Sequence, residues 1–203
     1  NFHVRIHENT PKAFYDEVIR IHFGAGSAPA MYNDETIIES MMNVGYSLED
    51  ARNYVAIGCV EPTAPGKSLA STDAGMYNMP LAVEMALNEG QQFHSSKQIG
   101  AKTPPVSEMR SMDDFVAAYD TQVKHQLGKL RRDLEAIERF HAEHHPPPLT
   151  SSMVEGCVEQ GVCSTSGGAI YNFSGIQGCG MATVADSLGA IESAVFDDGW
   201  LTL

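Results

Sequence analysis

Positive charge is scarce in this sequence. Its 203 residues carry 13 Lys and Arg against 26 Asp and Glu, a formal net charge of −13. That balance argues against binding a phosphate backbone and against docking on anionic membranes. Cysteine is scarce as well, with four residues: Cys59, Cys157, Cys163 and Cys179. No pair has the Cys-x-x-Cys spacing of zinc and thioredoxin-type sites. Reduced thiols in a cytoplasm are therefore expected. No apolar run approaches the roughly 18 residues of a membrane span, and no secretory signal pattern opens the chain. A Walker loop and a G-x-G-x-x-G fingerprint are both lacking, which argues against a phosphate-cradling loop.

What is there suffices for one large domain, or for part of a larger one, at 43% hydrophobic content. "FHVRIH" alternates and predicts a strand. "TPKAFYDEVIRIHFG" predicts a helix capped by Thr10, with Pro11 in its first turn and Gly24 after its end. "GAGSAPAMYN" reads as a loop, and "DETIIESMMNVG" as a helix stopped at Gly45. "SLEDARNY" predicts a short helix with Ser47 as N-cap and Asp50 facing back to it. "YVAIGCV" then reads as a buried strand. Strand, helices, strand is the order of a mixed α/β sheet or barrel.

A further helix is expected over residues 76 to 90 with Pro80 in its first turn, and "KTPPV" as a linker. From Ser111 a long amphipathic helix is expected, with Phe115, Tyr119, Val123, Leu127, Leu130 and Leu134 at three- and four-residue steps. "HAEHHPPP" sets three histidines near a glutamate. A helix C-terminus favours histidine and a triple proline ends a helix, so this reads as a helix end rather than a metal site. "MATVADSLGAIESAVFDDG" predicts a final helix. The chain opens on Asn1 and stops at "DDGWLTL", so a piece of a longer protein is expected.

The words that carry chemistry are "GCVEP", at 58 to 62, and its near copy "EGCVEQ", at 155 to 160. In extended backbone residues i and i+2 point to one side, which would set Cys59 and Glu61 on one face. Pro62 would block further pairing and leave them at a strand end or loop tip, where barrel enzymes place their chemistry. A carboxylate beside a thiol disfavours the thiolate, so ionic nucleophilic catalysis is poorly served. A neutral thiol that gives and takes a hydrogen atom has no such need, and the carboxylate can work separately as acid or base. Spacing alone favours a structural Cys59, because Cys-x-Glu also occurs by chance.

"NFHVRIHENTP", "YNDETIIESMMNVGYSLEDARNYVAIGCVEP" and "EGCVEQGVCSTSGGAIYNFSGIQGCGMATVADSLGAI" together resemble the central section of the glycyl radical enzymes. Within that family the single-cysteine Gly-Cys-Val-Glu-Pro word resembles the dehydratase and lyase branch rather than pyruvate formate-lyase, which has two adjacent cysteines there. The resemblance covers residues 1–203. It implies an α/β fold that is part of a ten-stranded barrel, with the long helix packed on it. It implies Cys59 as the thiyl-radical cysteine and Glu61 as its acid/base partner. "SGGAIYNFSG" is similar to the family's Gly-Gly-Ala-x-Tyr-Asn-Phe signature, so Tyr171 and Asn172 would support the barrel or line the substrate pocket. Cys157, in the second Gly-Cys-Val-Glu, is expected to be a core thiol at a buried strand end.

The family's Arg-Val-x-Gly-Tyr-like radical loop does not occur in these residues. The resemblance thus implies a radical glycine outside them, installed by a radical SAM activating enzyme, with no bound cofactor and no metal. It further implies the rest of the same enzyme as a partner, a homodimer, and a cytoplasmic or microcompartment setting. Glu61 counts against the fumarate-adding branch. "STDA" stands where diol dehydratases have Trp-His-Asp-Ala, which matches Asp73 to their aspartate, and Thr72 matches a pocket position of the choline-cleaving lyases. The expected reaction is elimination from a small hydroxylated substrate, with Asp73 protonating the leaving group. Asp73 could instead cap a helix starting near Met76. Two alternatives remain: an arylacetate-type decarboxylase with His94 at the substrate, or a non-catalytic piece.

Overall fold

The computed structural model describes residues 2–26, 28–69 and 71–203. The elements run β1 (His3–Ile6), α1 (Lys12–Ala25), β2 (Ala30–Asn33), α2 (Asp34–Asn43), α3 (Leu48–Arg52), β3 (Val55–Ile57), β4 (Glu61–Thr63), β5 (Ser71–Asn78), α4 (Met79–Leu87), α5 (Met112–His144), α6 (Pro148–Ser151), α7 (Cys157–Gln160), β6 (Ser174–Cys179) and α8 (Met181–Ile191). The expected mixture of helix and strand is present. Among the described residues the strands form three two-stranded sheets, β1–β2, β3–β4 and β5–β6. No helix of the described residues is long and apolar enough to cross a membrane.

Two compact units divide the chain: Asn1–Ser71 with Ala142–Phe173, and Thr72–His141 with Ser174–Leu203. In the first, β1 and β2 pair in parallel, with His3 opposite Ala30 and Arg5 opposite Tyr32. β2 lies inside the stretch expected as loop. Its four residues follow Gly, Ala and Pro and pair with a strand far back in the chain, so no local pattern marks them. (Ser27, within that loop reading, lies outside the described residues.) Asn33 ends β2 and caps α2, its Oδ1 accepting the Thr36 N–H at 3.0 Å.

Arg5 ties this unit together. Its guanidinium grips Asp34 with two bonds, at 2.8 and 2.9 Å. It also donates to the carbonyls of Tyr54 and Arg52, and lies 4.0 Å over the Tyr54 ring. Burial works against the Asp34 carboxylate, but hydrogen bonds from Arg5 and Tyr54 outweigh it and hold its pKa below the ordinary value. Tyr32, Met41, Ala51 and Tyr54 form the core beneath. The strand β1 is thereby fixed against the residues that lead directly into β3.

The helix ends match the expected caps at α3 but not at α1. Thr10 does not cap α1: its hydroxyl accepts the His7 N–H, and Pro11 holds the N-cap position. The helix passes Gly24 and ends at Gly26, whose φ of 83° closes the last turn. Ser47 does cap α3, its Oγ accepting the Asp50 N–H at 3.1 Å. Asp50 faces back, as expected, but accepts the Ser47 hydroxyl and not its N–H.

The second unit packs Val83, Ala86, Met109, Phe115, Ala118 and Val184 into one core. α4 starts at Met79, not near Met76, because Ser71–Asn78 is strand. Pro80 sits in its first turn as expected. The long helix α5 has 33 residues, about 50 Å at 1.5 Å each. Ser111 opens it with a reciprocal box: its Oγ accepts the Asp114 N–H, and Asp114 Oδ2 accepts the Ser111 N–H. α8 runs on through a wider turn over Glu192–Asp197.

Candidate active site

The Gly-Cys-Val word at 58 to 60 is the turn of a hairpin. β3 and β4 run antiparallel, with Ile57 opposite Glu61, Ala56 opposite Pro62 and Val55 opposite Thr63. The expected buried strand is therefore a short, partly exposed one, and its tip carries Cys59. Pro62 does not end the pairing. Each strand of a two-stranded sheet is an edge strand, where proline is tolerated.

The side-chain relation of Cys59 and Glu61 also differs from the i, i+2 expectation, because the chain turns between them. Cys59 is exposed, whereas Glu61 is 8% exposed. The Glu61 carboxylate curls back on the turn. Its Oε2 accepts the N–H of Cys59 at 2.9 Å and that of Val60 at 3.0 Å. Gly58 makes this possible. Its φ is +55°, and an added Cβ would lie 2.7 Å from that same Oε2.

Two further residues bear on this tip. His3 Nε2 lies 2.7 Å from the Cys59 carbonyl oxygen. Tyr32 is buried, and its hydroxyl has no hydrogen-bond partner among the described residues. Burial pushes the Tyr32 phenol above its ordinary pKa, and the negative charge of Glu61 adds to the effect. Neither residue was singled out from the sequence, and only the fold brings them to the hairpin.

Tyr171 and Asn172 belong to the same unit and are tied into its framework. The Tyr171 hydroxyl donates to Asp50 Oδ2 at 2.7 Å and accepts the Ser47 N–H at 3.1 Å. Its ring packs 4.3 Å from that of Tyr46. Lys67 bonds the other oxygen of Asp50 at 2.7 Å. Bonds from Lys67, then Tyr171 and Ser47, push the Asp50 carboxyl down to about 2. Asn172 donates its amide to the carbonyls of Ala169 and Gly167.

Thr72 and Asp73 belong to the second unit, on β5. An added Cβ on Gly175 would meet the Thr72 carbonyl oxygen at 2.6 Å, so β6 passes close to Thr72 only because glycine stands there. Asp73 is exposed and accepts a hydrogen bond from Gln177 through Oδ1. It caps no helix: Asn78 is the residue before α4. His94 is exposed and sits edge-on to Phe93.

The second Gly-Cys-Val-Glu is a helix start and not a strand end. Gly156, at φ +93°, precedes α7, and Glu159 accepts the Gly156 N–H at 2.9 Å. Cys157 is 3% exposed against Val154 and Ala169, and burial pushes its thiol up. It is a core thiol, as expected. Among the described residues no group of three or more His, Cys, Asp or Glu is placed to hold a metal ion. A cavity of about 580 Å³ in the first unit is lined by Arg5, His7, Asp34, Glu35 and Arg52 among others, and none of the candidate site residues lines it.

The pyruvate formate lyase-like family model matches residues 1–203. The (2S)-3-sulfopropanediol dehydratase of Klebsiella oxytoca is 38% identical over 198 residues, covering 96% of this chain and 24% of that protein. The glycerol-bound B12-independent glycerol dehydratase from Clostridium butyricum superposes with a TM-score of 0.86 at 40% identity, over 98% of this chain and 25% of that one. A glycyl radical enzyme from Archaeoglobus fulgidus gives a TM-score of 0.83 at 36% identity, over 95% and 25%. The chain belongs to the pyruvate formate lyase-like family of glycyl radical enzymes. It spans about a quarter of the length of these relatives.

Proposed function

We propose that this chain is the cysteine-bearing part of a glycyl radical enzyme that eliminates a leaving group from a small hydroxylated substrate. The observation that carries the reading is the hairpin tip: an exposed cysteine whose own N–H is bonded by the buried carboxylate two residues on. Two of the relatives named above are dehydratases, which supports elimination over decarboxylation. In the complete enzyme these residues belong to a ten-stranded α/β barrel. The radical is protein-based, on a glycine elsewhere in the longer chain, and is installed by a radical SAM activase. A homodimer in the cytoplasm or in a microcompartment completes the proposal.

Cys59 gives its sulfhydryl hydrogen atom to the radical glycine and becomes a thiyl. The thiyl takes a hydrogen atom from the substrate carbon that bears the hydroxyl. Glu61 accepts the hydroxyl proton, which raises the electron density of the ketyl-like radical. The neighbouring carbon–heteroatom bond then breaks, with Asp73 giving a proton to the departing group. The carbon radical that remains recovers a hydrogen atom from the Cys59 thiol. Thr72, Tyr171 and Asn172 complete the substrate surroundings, Tyr171 and Asn172 by bracing the segment that bears them.

The test is turnover in the complete, activated enzyme. Cys59→Ser should abolish it, while Cys157→Ser, Cys163→Ser and Cys179→Ser leave most of it. Full turnover of Cys59→Ser would remove the radical reading.

A further inference from the structure

His3 opens β1 and has no part in the steps above. It stands 56 positions from Cys59, yet its Nε2 lies 2.7 Å from the Cys59 carbonyl oxygen. A carbonyl only accepts, so this nitrogen carries a hydrogen: the ring is the Nε2–H tautomer or the imidazolium. The same ring meets Tyr32 edge-on, with centroids 5.7 Å apart. Tyr32 is a firm support. It is 6% exposed, and the β1–β2 register sets it opposite Arg5, which is itself clamped to Asp34.

Cys59 is thus bonded on both sides of its α-carbon. Its N–H goes to Glu61 and its C=O to His3. A turn residue lacks the ladder bonds that orient a strand, so these two bonds set the peptide planes. The planes in turn set the direction in which the Cβ leaves the backbone. Hydrogen-atom transfer needs near-contact geometry, and a misplacement of about 1 Å can cost about 10²-fold in rate.

We infer that His3 is a positioning residue for Cys59: its Nε2–H bond to the Cys59 carbonyl, steadied by the Tyr32 ring, fixes the peptide from which the cysteine side chain projects. This rests on Cys59 being the hydrogen-atom carrier. The bond is chemically distinct from the work of Glu61. It involves no proton transfer, and any donor at the same reach can replace it.

Three variants of the complete enzyme, each treated with a radical-generating activase, test it. His3→Phe keeps a ring on Tyr32 and removes the donor. His3→Gln offers an amide N–H at similar reach. Cys59→Ser is the control on the underlying reading. His3→Phe should keep glycyl radical content, melting temperature and KM, and lose about 10- to 100-fold in kcat. His3→Gln should recover most of that loss. Amide hydrogen exchange of the peptide spanning residues 58–61 should quicken in His3→Phe and not in His3→Gln, a readout that needs no turnover. An unchanged kcat in His3→Phe beside an inactive Cys59→Ser overturns this proposal alone. So does equal impairment of the Phe and Gln variants, or a loss that tracks a lower melting temperature. Normal turnover in Cys59→Ser overturns the cysteine reading and this proposal with it.

Discussion

The Glu61 carboxylate accepts the Cys59 N–H at 2.9 Å through Oε2, the oxygen that also takes the Val60 N–H. One side chain therefore builds the turn that presents the cysteine and is also the proton acceptor proposed for the reaction. The two roles need different things. Building the turn needs only an acceptor oxygen, whereas proton transfer needs an ionisable one. Glu61→Gln separates them. The amide oxygen can still accept both N–H bonds, so the fold and the glycyl radical yield should stay as in the native enzyme. Turnover should fall by about 10²–10⁴-fold, the usual contribution of a positioned acid or base. Anaerobic electron paramagnetic resonance paired with product formation reads both, and near-native turnover would strip Glu61 of its proton role.

Gly58 offers a complementary perturbation. An alanine there must hold φ near +55° and bring a Cβ to 2.7 Å from Glu61 Oε2. The backbone strain is about 1–2 kcal/mol, and the carboxylate must leave its place. Gly58→Ala should lower stability by about that amount and cut turnover as well. Gly156→Ala, in the second copy of the word, meets backbone in place of a carboxylate, with the Gly168 carbonyl at 2.7 Å. It should cost stability with little loss of turnover per folded molecule. Denaturant melts and active-site-normalised rates distinguish the two, and equal losses of rate would show that the Gly58 effect is only folding.

These glycines also show what sequence can reveal. The two Gly-Cys-Val-Glu words are identical in letters, and in both the glutamate bonds a backbone N–H within the word. One is a hairpin turn and the other a helix start, because pairing of β3 with β4 and the short α7 decide the backbone, not the word. Cys59 lies exposed on its turn, while Cys157 is buried, as expected of a core thiol. The start of α3 was legible because a cap is a local event, and α5 because its apolar residues recur at three- and four-residue steps. The strand β2, the extended stretch ahead of α4, and the approach of His3 and Tyr32 to the hairpin were not legible. Each depends on a partner tens of residues away, which no local period encodes.

Asp50, in α3, bonds Lys67, Tyr171 and the cap residue Ser47, and its folded pKa is pushed from 3.8 down to about 2. A depressed carboxyl stabilises the fold above its unfolded pKa and loses that contribution as pH falls through the folded one. The stability difference between the native enzyme and Asp50→Asn should therefore be constant from neutral pH down to near 4, and shrink between about 4 and 2. Tyr171→Phe leaves the Ser47 N–H and one Asp50 oxygen without this partner and should cost about 1–3 kcal/mol. Urea melts at a series of pH values check both. A difference that does not change below pH 4 would mean that Asp50 is not held by charge.

Asp73 separates elimination from decarboxylation. A departing hydroxyl, amine or sulfite benefits from an acid or an anion-binding group, and carbon dioxide needs neither. On β5 the Asp73 carboxylate has Gln177 as a donor to Oδ1 and no helix N-terminus to cap. The structural role that asparagine would fill equally well at a helix start is therefore gone. Asparagine keeps an oxygen for Gln177 but cannot supply a proton. Asp73→Asn should slow an elimination by about 10²–10⁴-fold while the glycyl radical yield stays unchanged. Product formation from a panel of vicinal diols, hydroxyproline, isethionate and arylacetates is the measurement. Undiminished elimination by the Asn variant would remove Asp73 from the reaction. Release of carbon dioxide from an arylacetate by the native enzyme would replace elimination with decarboxylation altogether.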